Sequence, residues 1–163
     1  MATQLYLGSP NAVVLCINEF IPDEGQSHIR GVMYHSYQEE GTPFENLDEM
    51  TMHMEELYDR LGFPHPTTNS RSFVDVKPNY VHVREEKIMS DDQVLSKHGE
   101  IGTFIVRVQH RQNSSWQGRL TWVDKDQTVN FRSIWEMIKL IESAVDTVSD
   151  PEEEEEPEQR WDL

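Results

Sequence analysis

Residues 31–61 of this chain match residues 118–148 without a gap, at a constant offset of 87. Gly31 corresponds to Gly118, Phe44 to Phe131, Leu47 to Ile134, and Glu49-Met50 to Glu136-Met137. Met54, Glu55, Leu57, Tyr58 and Leu61 correspond in the same way to Ile141, Glu142, Ala144, Val145 and Val148. Few pairs are identical, but the apolar ones keep one helical phase, and an amphipathic helix buries one stripe at three- and four-residue steps. Two copies are too few for a solenoid, whose repeats stack as an array. The pattern predicts two related units packed about a pseudo-two-fold axis.

Each unit reads as strands followed by a helix. In the first, residues 12–20 are a β-rich run, Pro22-Asp23-Glu24-Gly25 supplies turn chemistry, and residues 28–38 form a second strand. Gly41-Thr42-Pro43 breaks that strand, and a helix follows over 45–61, capped by Asn46 or Thr42 and stopped by Gly62 and Pro64. In the second, residues 103–110 and 117–123 alternate like paired strands, and 124–127 turn into a short strand over 128–131. Ser133 with Glu136 is a capping-box pattern, which opens a helix over 132–148. Between the units, 71–76 and 80–83 resemble short strands, and Ser90 to Leu95 a short capped helix, with a loop over 85–99 as the alternative. The expected fold class is α+β: two related ββ(β)α units (about 12–62 and 103–148) in one domain over 1–149, sharing an antiparallel sheet with two long helices on one face.

Charge bounds the function. The net charge is −16, and the acidic, Pro-punctuated run over 150–163 holds eight acids against Arg160, which leaves the rest acidic in its own right. Like charges at that density repel and bury nothing, so 150–163 reads as a disordered tail. Nonspecific nucleic-acid affinity comes from Lys and Arg on phosphates, so direct nucleic-acid binding is not expected; an acidic chain favours basic protein partners. Cys16 is the sole cysteine, in the apolar run Val13 to Ile17, which excludes intrachain disulfides and reads as an inert buried thiol. No stretch approaches the ~20 apolar residues of a membrane span, and no signal-peptide pattern opens the chain, so the expected location is cytoplasmic.

The segment from His110 to Gly118 holds the most unusual chemistry, with Arg111, Gln112, Asn113, Trp116 and Gln117 between two strands. A tight hairpin does not demand Trp or Arg, and both are enriched in binding hot spots. These five residues are the candidate binding site, an exposed recognition loop. The bland alternative is that Trp116 folds back onto the sheet and the polar residues only solvate the turn. The run from Phe104 through Gly118, then Thr121-Trp122 and Asn130-Phe131-Arg132-Ser133, resembles a family of small uncharacterised bacterial proteins of clostridial type that share this hairpin–helix segment. The resemblance covers about the last third of the ordered chain and implies a bacterial intracellular origin. It carries no activity and transfers no functional residue.

His28, His35, His53, His65, His82, His98 and His110 are scattered, with no H-x-x-x-H pair, so no metal site is expected. No nucleophile elbow, phosphate-cradling loop or paired Asp motif is present, so neither a catalytic residue nor a cofactor is expected. Of the methionines, Met50, Met54 and Met137 fall on the apolar stripes and Met52 alone falls off them. The expected function is a non-enzymatic acidic interaction module. Its sharper form is an inhibitor of a basic nucleic-acid-binding protein, of anti-CRISPR or anti-restriction type, acting by nucleic-acid mimicry. The alternative is a small-ligand or nucleotide-binding regulatory module using the 110–118 loop.

Overall fold

The computed structural model describes residues 7–21, 28–62, 86–112 and 115–149. The strands expected at 71–76 and 80–83, and the tail from 150, lie outside them. In chain order the elements are β1 (Val13–Ile21), β2 (His28–Tyr34), β3 (Thr42–Phe44), α1 (Leu47–Leu61), α2 (Asp91–Leu95), β4 (Gly102–Gln112), β5 (Ser115–Trp122), β6 (Gln127–Phe131) and α3 (Ile134–Ser149), with a 3-10 turn at Val123–Lys125 before β6. The strands form one antiparallel sheet in the order β3-β2-β1-β4-β5-β6. The α+β class expected from the sequence is what forms.

Both long helices bury apolar stripes in the same core. Met50, Met54, Leu57 and Tyr58 of α1, and Met137, Ile141, Ala144 and Val145 of α3, pack with Val13, Leu15, Ile17, Phe44, Phe104, Val106 and Phe131 of the sheet. Asn46 caps α1 by accepting from the Glu49 N–H at 2.7 Å, and Gly62 ends it with φ 64°. Ser133 caps α3, its Oγ accepting from the Glu136 N–H at 3.0 Å. Such caps satisfy N–H groups that the helix itself leaves unbonded. The opposite face of the sheet is covered by a smaller cluster in which Leu7, Met89 and Val94 pack on Ala12, Val14, Cys16 and Ile105. Cys16 is buried there, and desolvation pushes its thiol up to about 11, so it stays protonated and unreactive.

The first half differs from its expected form at two points: β2 ends at Tyr34, short of the expected residue 38, and a further strand follows it. Thr42–Phe44 does not break the sheet but forms a third strand, pairing Gly31 with Phe44 and Val32 with Pro43. Proline lacks an N–H to donate and is tolerated at a sheet edge, where one side of the strand needs no partner. Two bulges shape the centre. The register of β1 on β2 shifts between Ile17 and Glu19, leaving Asn18 as the extra residue; that of β4 on β5 shifts between Val108 and His110, leaving Gln109. The residues just before the bulges face glycines, Ile17 opposite Gly31 and Val108 opposite Gly118. A Cβ on Gly31 would overlap the Cys16 carbonyl oxygen, and one on Gly118 the Arg107 carbonyl oxygen.

His35 follows β2 and is buried. Its Nδ1 accepts from the Tyr37 N–H at 3.1 Å. Burial, assisted by the nearby Arg60 charge, lowers its pKa from 6.5 to about 4. Because the folded pKa is depressed, the unfolded chain takes up the proton first, so the His35 contribution is full above pH 6.5 and is lost as pH falls toward 4. Melting temperature should decline across that window, and His35→Gln should flatten the decline. Equal slopes in the two proteins would remove His35 as the cause.

Candidate interaction surface

The hairpin singled out by its composition is built differently from the expected loop. β4 runs through Gln112 and β5 begins at Ser115, so residues 113–114 are the whole connection. The bulge at Gln109 inverts the alternation beyond it, because one extra residue moves every later side chain to the opposite face. His110 then pairs with Gln117, both exposed, while Arg111 pairs with Trp116 on the helical side.

Trp116 is 2% exposed and Arg111 6%, which corrects the expectation of an exposed surface at these two positions. Trp116 meets the Tyr58 ring edge-on, with centroids 5.5 Å apart and planes at 68°. The Arg111 guanidinium stands 5.7 Å from the Tyr58 ring centroid, and its Nη1 donates to Asp59 Oδ1 at 2.8 Å. Burial raises the Tyr58 phenol far above its ordinary pKa, against a smaller opposing pull from Arg111, so the phenol stays neutral. This group ties the last turns of α1 to the end of the hairpin. Gln117 is exposed beside it, whereas Asn113 and the side chain of Gln112 lie outside the described residues.

The outward face of α1 carries the feature that composition alone does not show. Met52 is 61% exposed. Side chains three and four residues apart are neighbours on a helix surface, and those around Met52 are Asp48, Glu49, Glu55 and Glu56, all carboxylates. Asp48 and Glu49 have a structural reason, since acids in a first turn complement the positive end of the helix dipole. Glu49 Oε1 also lies 3.4 Å from His53 Nε2, which makes an ion pair when the imidazole is protonated. Glu55 and Glu56 sit beyond the reach of that effect, and Glu55 stands one turn before Asp59, a like-charge spacing that costs a helix roughly 0.2–0.5 kcal/mol.

α3 presents a different outer surface. Trp135 in its first turn is 66% exposed, with Lys139 Nζ 4.5 Å from its ring centroid and 3.6 Å from Glu142 Oε2. The cation there offsets the acids; on α1 the basic residue is Arg60, in the last turn. The signal for the α1 patch lay in the off-stripe Met52 and the spacing of acids about it. Among the described residues no group of three or more His, Cys, Asp or Glu is placed to hold a metal ion, and no helix is long and apolar enough to cross a membrane. Comparison with family models, with curated proteins and with solved structures returned no match.

Proposed function

We propose that this chain is a non-enzymatic interaction module that meets a basic protein partner through the outward face of α1. The observation that carries the reading is Met52 exposed within four carboxylates. An apolar anchor inside a charged ring is the anatomy of an interface, where the centre loses water and the rim selects the partner. The net charge of −16 adds long-range attraction toward a basic surface. A sharper form is an inhibitor that occupies the nucleic-acid groove of its target by mimicry. The small-ligand alternative at 110–118 finds less support, because Arg111 and Trp116 are engaged in the core.

We also infer that the two βββα halves are related units. Gly31 and Gly118 face equivalent bulges and pair with Phe44 and Phe131, and Asn46 and Ser133 cap at the same offset of 87. Met52 and Lys139 share that offset yet differ in chemistry. The halves keep their buried stripes and diverge outside, which supports a binding face carried by one copy alone.

The test uses a defined probe, a synthetic peptide alternating Arg and Leu, titrated against the full chain. Glu55→Lys with Glu56→Lys should weaken binding at least tenfold, and Met52→Ala several-fold. Melting temperature should hold, because surface substitutions of this kind usually change stability by only about 0.5 kcal/mol. Binding should also fall between 0.1 and 1 M salt, as the Debye length shrinks from ~10 to ~3 Å. Affinity indifferent to the charge reversal would overturn the assignment. Once a natural partner is in hand, competition by added duplex DNA tests the mimicry form.

A further inference from the structure

β6 is an edge of the sheet among the described strands, and it lacks the guards that edges usually carry. Natural edges are blunted by charge, proline or short length, because a row of unpaired backbone groups is a template for another strand. The opposite edge, β3, is three residues long and contains Pro43. β6 is Gln127-Thr128-Val129-Asn130-Phe131, with no charge and no proline, in a chain of which 27% is charged. Its first four residues are exposed, and Val129 at its centre leaves 46% of its surface in solvent. The exposed Trp135 stands at the start of α3, close after the strand ends.

The charges that flank the strand are arranged to suit self-pairing. In an antiparallel pair centred on Val129, Thr128 lies opposite Asn130 of the partner subunit and Gln127 opposite Phe131 of the partner subunit. The same register carries Asp126 toward Arg132 of the partner subunit, once at each end. Moving the register by two residues, the smallest step that keeps both helical layers on one face, shortens the paired stretch from five residues to three. We propose that β6 is a self-association edge, through which two copies pair antiparallel about a two-fold axis at Val129. This continues the sheet from six strands to twelve. α1 packs on β2 and β3, at the opposite end of the strand order from β6, so the acidic patch stays open in the pair.

The pairing does not rest on the function proposed for α1, and salt separates the two. Two copies of net charge −16 repel each other, so screening should strengthen self-association while it weakens binding to a basic peptide. Sedimentation velocity on the full chain, over a concentration series, should show the mass rising from 19.1 kDa toward twice that value, more readily at 1 M than at 0.1 M salt. Val129→Lys sets two cations against each other at the axis and should leave a folded monomer with an unchanged circular dichroism spectrum. Val129→Cys should form an intermolecular disulfide on oxidation, since directly opposed Cα atoms stand about 4.5–5.5 Å apart, within disulfide range. Thr128→Cys should not, because it faces Asn130 of the partner subunit; the native Cys16 is buried. A monomer at every concentration and salt, a dimer indifferent to Val129→Lys, or equal cross-linking of the two cysteine variants would each overturn the proposal.

Discussion

Gly118→Ala should destabilise the protein on the order of 4 kcal/mol, among the larger effects a single methyl group can have. The added Cβ would overlap the Arg107 carbonyl oxygen and come within 2.9 Å of the Val108 Cα, and both belong to the neighbouring strand. Backbone cannot swing aside as the end of a side chain can, so β4 and β5 would have to part at the bulge. For a domain of this size the melting temperature should fall by roughly 10 °C. Gly102→Ala is the control. A Cβ there meets nothing nearer than 3.5 Å, and the change should cost less than about 1 kcal/mol. If both variants melt together, the close approach of the strands at Gly118 is not what demands glycine.

Trp116→Ala should cost about 3–5 kcal/mol, the range for truncating a buried aromatic. The indole fills the space between β5 and the last turns of α1, edge-on to Tyr58. Its loss would also leave Arg111, its pairing partner across the strands, beside a cavity. Gln117→Ala, one residue on and exposed, should change stability by no more than about 0.5 kcal/mol. Thermal unfolding of the two variants separates a structural hairpin from a recognition loop. A Trp116→Ala protein as stable as the parent would return the indole to the surface.

The helices and long strands were legible because their signal is periodic. The stripes Leu47–Met50–Met54–Leu57 and Ile134–Met137–Ile141–Val145 follow the helical repeat, and the capping residues Asn46 and Ser133 stand where the stripes begin. β3 was not legible, since three residues with a proline among them have neither the length nor the alternation of a strand. The hairpin from His110 to Gly118 misleads for a definite reason. A bulge is one uncounted residue in the pairing, and Gln109 has nothing in its chemistry to announce it. Reckoned straight through, the alternation of β4 sends Arg111 to the face away from Val106 and Val108. β5 has no bulge, and its alternation Trp116–Gly118–Leu120 turns the indole toward the helices. The acids of α1 pose the opposite difficulty: carboxylates on a helix are ordinary solvated surface until burial shows that Met52, in their midst, is left outside the core.

The order of strands also sets how the molecule comes together. Within each half, every pairing joins strands consecutive in the chain, so its sequence separation is small and little loop-closure entropy opposes it. The pairing of β1 with β4 is of another kind, bringing Val13 to Val106 across more than half of the chain. Loop-closure entropy must be met before such a contact returns anything, and contacts of high sequence separation slow folding. The strand order therefore predicts two fast-closing meanders joined by one slow zip, the β1–β4 seam being the last pairing to close.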